Sequence, residues 1–182
     1  MNIEQIYQLA RDRTANSKTV TFGGSQPLSE RFQATADITL SQVDATVTSG
    51  GVLATESTGT NYFFSTQLVG NNLLLKRDTG VLGLRYFSTA PSDTISLIAN
   101  TRFPITRNWR INPRLQYDIR NFSDGRSQKR LRALLRTDYR YLNKARFDFE
   151  VGYDATQTDE ANTGQSLANN NLFFMLGYRW DF

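Results

Sequence analysis

The chain has 182 residues, 21% of them charged and 39% hydrophobic, with a net charge of +4, no cysteine and no histidine. Those absences remove disulfides, zinc-thiolate sites, thiol nucleophiles and imidazole bases together. No window reaches the eighteen or so consecutive apolar residues of a membrane helix, whereas a membrane strand needs only about ten residues with alternate ones apolar, so a mean hydropathy of -0.47 excludes helical spans and leaves strand spans open.

The opening stretch, MNIEQIYQLARDRTANS, lacks a basic region followed by an apolar one, so no secretory leader is expected in this numbering. Ile3, Ile6, Tyr7, Leu9 and Ala10 recur at helical spacing, which predicts one short helix over 3–13. The organisation expected is a short helical segment over 1–17 followed by one β domain over 18–182.

From Thr19 the period becomes two, and clusters of Gly, Asn, Asp, Ser and Pro interrupt the chain at hairpin intervals. TVTFGG at 19–24 is a weak strand candidate. The next strand carries Phe32, Ala34, Ala36, Ile38 and Leu40 on one face and slips phase near Val43. Residues 61–87 hold two more strands, with the turn at either 70–72 or 77–80.

The pattern then becomes regular. Ile95, Leu97, Ala99, Thr101, Phe103 and Ile105 alternate with Ser96, Ile98, Asn100 and Arg102. In WRINPRLQYDIR, Trp109, Ile111, Pro113, Leu115, Tyr117 and Ile119 oppose Arg110, Asn112, Arg114, Gln116, Asp118 and Arg120. RLRALLRTDYRY sets Leu131, Ala133, Leu135, Thr137, Tyr139 and Tyr141 against Arg130, Arg132, Leu134, Arg136, Asp138 and Arg140. ARFDFEVGYDA sets Phe147, Phe149, Val151 and Tyr153 against Arg146, Asp148, Glu150 and Asp154, and the tail aligns Leu172, Phe174, Leu176, Tyr178, Trp180 and Phe182. Tight connections are expected near 26–29, 106–108 and 142–144, and looser ones near 49–59, 90–93, 122–127 and 157–167.

Alternation of this kind suits either a soluble antiparallel sheet with one wet face or a membrane barrel. Two features favour the barrel. Segments of eleven to fifteen residues exceed the usual strand of a soluble sheet, and Trp109, Tyr139, Tyr141, Tyr153, Tyr178, Trp180 and Phe182 fall on the apolar face near the expected strand ends, where a headgroup layer favours amphipathic rings. The predicted fold is therefore all-β, an antiparallel transmembrane β-barrel with a short N-terminal helix. Eight strands are legible between Arg31 and Phe182. Counting TVTFGG makes nine, so either that piece is no barrel strand or strands precede it, since bacterial single-chain barrels use even numbers.

The tail LFFMLGYRWDF resembles the terminal strand of bacterial outer-membrane β-barrel proteins, which ends on Phe after alternating aromatics. The resemblance implies that Tyr178, Trp180 and Phe182 form the signal read by the barrel assembly machinery, and that the protein resides in the outer membrane of a Gram-negative envelope. More broadly, GGSQPLSERFQATADITLS, GTNYFFSTQLVGNNLL, RINPRLQYDIRNFSDGRSQ and RTDYRYLNKARFDFEVGYD resemble the C-terminal barrel portion of tetratricopeptide-repeat-linked envelope proteins. This chain lacks their repeat array.

On a barrel the polar face looks inward, placing Arg110, Arg114, Arg120, Arg130, Arg132, Arg136, Arg140 and Arg146 among Asp118, Asp138, Asp148, Glu150 and Asp154. The hairpin at 142–144 sets either Arg136 opposite Glu150 and Arg132 opposite Asp154, or Arg140 opposite Asp148. Such a lattice either fills a narrow barrel or lines a conduit for an anionic solute or polysaccharide. Ser88, Ser96 and Ser123 have no base in evidence, and Asp148 with Glu150 reads as ion-pair partners rather than a glycoside-hydrolysing pair, so no catalysis, cofactor or metal is expected. Arg and Tyr fall on opposite faces of one strand, which argues against nucleic acid. The function expected is a porin-like membrane anchor or pore component of an envelope export or secretion assembly, meeting outer-membrane lipid and periplasmic export partners. The alternative is a soluble antiparallel β-sheet binding domain.

Overall fold

The computed structural model describes residues 2–142, 144–161 and 164–180. Helix α1 (Ile3–Arg13) leads into nine strands: β1 (Ser17–Pro27), β2 (Phe32–Val43), β3 (Thr60–Asn71), β4 (Thr79–Thr89), β5 (Ser92–Pro104), β6 (Trp109–Phe122), β7 (Ser127–Tyr141), β8 (Ala145–Asp159) and β9 (Ser166–Trp180). Each strand pairs antiparallel with the next, giving one sheet in chain order. The sheet is open: among the described residues β1 and β9 are its two edges and do not pair with each other.

The α1 helix starts where the Gln5 side-chain carbonyl accepts the Asn2 N–H at 2.9 Å, and it carries Glu4 in its first turn and Arg11 and Arg13 in its last, as the helix dipole favours. Its C-terminal end is tied to the β2–β3 connection. Arg13 Nη2 donates to Gly50 O at 2.7 Å and to Ser49 O at 3.2 Å, while Ser49 Oγ donates to Asp12 Oδ2 at 3.1 Å.

TVTFGG is a true strand, the centre of β1, so the count is nine rather than eight. Its composition hid it: with two Gly, two Thr and both faces exposed, it carries little apolar contrast. Pairing with β2 places Val20 beside Leu40 and Phe22 beside Ile38, so the one strong apolar pattern is in β2 and β1 follows its register. The open choice of turn between β3 and β4 resolves into a single connection over 72–78, built around Asp78. The 90–93 stretch, expected to be loose, is a two-residue turn between Thr89 and Ser92, closed by Thr89 Oγ1 donating to Ser92 O at 3.0 Å.

Antiparallel partners share a face, so the registers carry one apolar face from strand to strand across the whole sheet. One row runs Ile38–Phe64–Tyr86–Ile95–Ile119 and another runs Trp109–Tyr139–Phe147–Tyr178. This face is not packed against anything. Leu115 is 47% exposed, Phe149 42% and Phe174 80%, and among the described residues Ile98 and Ala145 are the only buried hydrophobic side chains. Ordering a chain costs about 1–2 kcal/mol per residue in backbone entropy, and a sheet with two buried apolar side chains cannot offset that cost in water. A solvent that welcomes the apolar face can.

The aromatic ends are mostly where the pattern predicts: Trp109 opens β6, Tyr141 closes β7 and Trp180 closes β9. Tyr153 is a correction, because β8 continues to Asp159 and leaves Tyr153 in mid-strand opposite Leu172. Phe182 lies outside the described residues.

Candidate functional site

The polar face is where charge concentrates, and strands β6, β7 and β8 position it. Three residues separate Tyr141 from Ala145, and that short connection sets the β7–β8 register. Of the two registers open to the sequence, the one with Arg136 opposite Glu150 and Arg132 opposite Asp154 forms. It also sets Asp138 opposite Asp148 and Arg140 opposite Arg146, two like-charged pairs.

The closest cross-strand ion pairs run diagonally, beside one that runs straight across from Arg132 to Asp154. Arg130 grips Asp154 with two parallel bonds, Nε to Oδ1 at 2.8 Å and Nη2 to Oδ2, and Arg132 Nε approaches the same carboxylate at 3.5 Å. A planar fork against a carboxylate is the geometry for which Arg is suited. Arg136 Nη2 sits between Asp138 at 3.1 Å and Asp148 at 3.2 Å, so one guanidinium holds together two carboxylates that face each other. Asn112 Nδ2 completes Asp138 with a bond of 2.9 Å to Oδ2. Arg120 Nε donates to Thr94 Oγ1 at 3.1 Å and its guanidinium lies 5.7 Å from the centre of the Phe122 ring. Gln116 donates to both oxygens of Asp118 at 3.1 Å.

Several residues grouped by the pattern are on this face without joining that network. Glu150 is opposite Arg136 but makes no ion pair among the described residues, and Asp138 and Asp148 occupy that guanidinium. Arg114 faces Leu134 and Asn100 across its two neighbours. Arg110 is opposite Asp138 without bonding to it, and Arg140 and Arg146 make no ion pair among the described residues. Arg107, in the β5–β6 connection, is a residue that alternation could not supply, whereas the alternation of the tail already puts Arg179, opposite Arg146 on β9, on this face.

The connections carry two further carboxylates with defined roles. Burial raises the Asp78 carboxyl, yet N–H donors from Leu75, Leu74 and Leu73 together outweigh that and hold it below the usual aspartate range. The three bonds measure 2.9, 2.7 and 2.6 Å, and the residue is 2% exposed. In the β6–β7 turn the Arg126 N–H, with the Arg126 guanidinium at 2.8 Å, lowers Asp124 likewise.

An open meander of long strands, apolar on one face and ion-paired on the other, is the geometry of an outer-membrane barrel wall. Comparison with solved structures agrees. The chain is similar to OmpT, an outer membrane protein of Vibrio cholerae folded in vitro, with a TM-score of 0.60 and 13% identity over 94% of this chain and 57% of that chain. The chain thus has the all-β fold of an outer-membrane β-barrel protein and spans a little over half the length of this neighbour. No family model and no curated protein matches the chain, so the likeness to tetratricopeptide-linked envelope proteins rests on the sequence pattern alone.

The comparison also corrects the expectation that the chain is no enzyme. That exclusion leaned on the missing histidine, and the fold the chain shares with OmpT neither assigns nor forbids chemistry at 13% identity. Absence of catalysis does not stand as a property of the chain.

Proposed function

We propose that the chain forms part of a transmembrane barrel wall in a bacterial outer membrane, with its apolar face on lipid, its Arg, Asp and Glu residues lining the lumen, and a role as anchor or pore component of an envelope export or secretion assembly. One observation carries this reading: Leu115, Leu135, Phe147 and Phe149 stand exposed on one face, while Arg130, Arg136, Asp138, Asp148 and Asp154 bond to one another on the other. A soluble sheet would reverse those roles.

Hydrocarbon tolerates no unpaired strand edge, so β1 and β9 require partners. Nine antiparallel strands leave these two edges running in the same direction. An all-antiparallel closure then needs an odd number of further strands. Nine strands over 57% of the neighbour's length scale to about sixteen over the whole, leaving about seven, an odd number that gives the even total expected of bacterial barrels. On this reading strands from additional sequence complete the barrel, and Tyr178, Trp180 and Phe182 serve its assembly machinery.

The test is behaviour of the purified chain. Dependence on detergent is expected of the chain itself, and insertion into liposomes and heat-modifiable migration on a denaturing gel are expected of the chain joined to its remaining strands. A chain that stays monodisperse in plain buffer, without detergent, overturns the membrane reading and leaves the soluble binding domain. Discrete conductance steps in a planar bilayer, from the chain joined to its remaining strands, would support a pore over an anchor.

A further inference from the structure

The end of the sheet that carries the β5–β6 and β7–β8 connections sets arginines directly opposite one another. Arg140 is directly opposite Arg146, and Arg146 is directly opposite Arg179 on the next strand. One residue pair further along, Arg110 is opposite Asp138, but that carboxylate is already bonded by Arg136 and Asn112. Arg107, Asn108, Arg110, Asp138, Tyr139, Arg140 and Arg146 line a small pocket of about 120 Å³, and the Asp138 carboxylate there is already engaged by Arg136 and Asn112. The side chains of Arg107, Arg110, Arg140 and Arg146 make no ion pair among the described residues.

Like charges set directly opposite each other destabilise a strand pair, and the like-charged pair Asp138 with Asp148 is bridged by Arg136. Arg140 opposite Arg146 has no such bridge among the described residues. The arginines that line this pocket carry planar guanidinium forks, the donors that phosphate and carboxylate oxygens accept two bonds at a time. The arginine row is also level with the aromatic belt, between the Tyr139–Phe147–Tyr178 row and the Tyr141–Ala145–Trp180 row, so on the barrel reading it lies at a mouth, where water reaches it.

We propose that Arg107, Arg110, Arg140 and Arg146 form an oxyanion-binding site, recognising the phosphate or carboxylate groups of a solute at this mouth. The inference rests on the barrel reading, because only there does the pocket face the lumen rather than lipid. Bound oxyanion would screen Arg140 from Arg146, so ligand and stability are linked.

The test uses the chain joined to its remaining strands, in zwitterionic, phospholipid-free micelles, titrated with sodium pyrophosphate at constant ionic strength and followed by calorimetry and thermal unfolding. Wild-type protein is expected to bind and to unfold at a higher temperature when loaded. R140Q/R146Q should bind at least about tenfold more weakly, as loss of charge-assisted bonds requires, and should unfold at a higher temperature than wild type when unloaded. Should the double variant fail to assemble, R140Q alone is read in the same way. A second arm compares nanodiscs of phosphatidylglycerol with nanodiscs of phosphatidylcholine. Binding in micelles assigns a free solute, whereas an R146Q-sensitive preference for the anionic discs, without pyrophosphate binding, assigns a lipid headgroup. Equal pyrophosphate affinity in wild type and variant, or no binding in either arm, overturns the site. Heat-modifiable migration of the same preparations reports separately on the barrel, so a failure of one reading is not mistaken for a failure of the other.

Discussion

The ring of Phe173 occupies the space that a side chain at position 152 would need: a Cβ on Gly152 would collide with that ring. The two residues are opposite each other on β8 and β9, and Gly152 is buried under the aromatic. Phe173 is an aromatic on the polar face, an exception to the alternation that the glycine opposite makes room for. Phe173 covers bare backbone and joins the last strand to its neighbour.

Gly152→Ala is therefore expected to destabilise the β8–β9 pair by about 1–3 kcal/mol, the usual range for overpacking. Urea unfolding in micelles measures it, and Phe173→Leu in the same background should recover part of the loss. A neutral Gly152→Ala would show that the ring yields freely.

Arg136 stands between two carboxylates that would otherwise face each other unshielded. With the guanidinium about half exposed, screening reduces the effect, and Arg136→Met should cost about 1–2 kcal/mol. Adding Asp148→Asn should restore much of it, giving a coupling that a double-mutant cycle reads directly. Glu150→Leu, which alternation alone would rank as equally harmful, should change stability by less than about 0.5 kcal/mol because no bond is lost.

The apolar face makes a prediction that depends on depth. Val151→Arg lies near mid-strand and should cost about 2–4 kcal/mol in a bilayer, while Tyr139→Arg, near the end of β7, should cost about 0–1 kcal/mol. Folding yield into liposomes distinguishes them. Equal tolerance at both positions would mean that this face does not meet hydrocarbon.

Asp78 gives the β3–β4 connection a pH dependence of known sign. Its carboxyl titrates lower in the folded protein than in the unfolded chain, so the stability it contributes is present above the unfolded value of about 3.9 and is lost as the pH falls below it. Proteolysis at the Leu73–Leu75 turn should rise on acidification below about pH 3.9, and Asp78→Asn should show that susceptibility at neutral pH. An acid-insensitive turn in the wild type would contradict the role given to the three N–H donors.

Much of this architecture was legible in the residues themselves. From Ile95 to Trp180 the period of two is strong enough that a one-residue slip would carry the strand arginines to the apolar face, which makes the face of each side chain a property of the pattern. Strand β1 was harder to read because Gly and Thr carry little contrast, and its existence depends on a template, Ile38 and Leu40 on β2. Which charges pair was harder still, since alternation states a face and not a neighbour. The diagonal choice of Arg136 for Asp138 and Asp148 over Glu150, the arginine row at Arg140 and Arg146, and the cover of Phe173 on Gly152 all depend on register, and register is decided by the short connection after Tyr141 together with the pairing of whole strands. Sequence alone determined which side of the sheet is greasy and which is charged, because a strand's side chains must alternate. Tertiary structure alone decided which charges meet, because cross-strand distance, unlike alternation, is not encoded in any single strand.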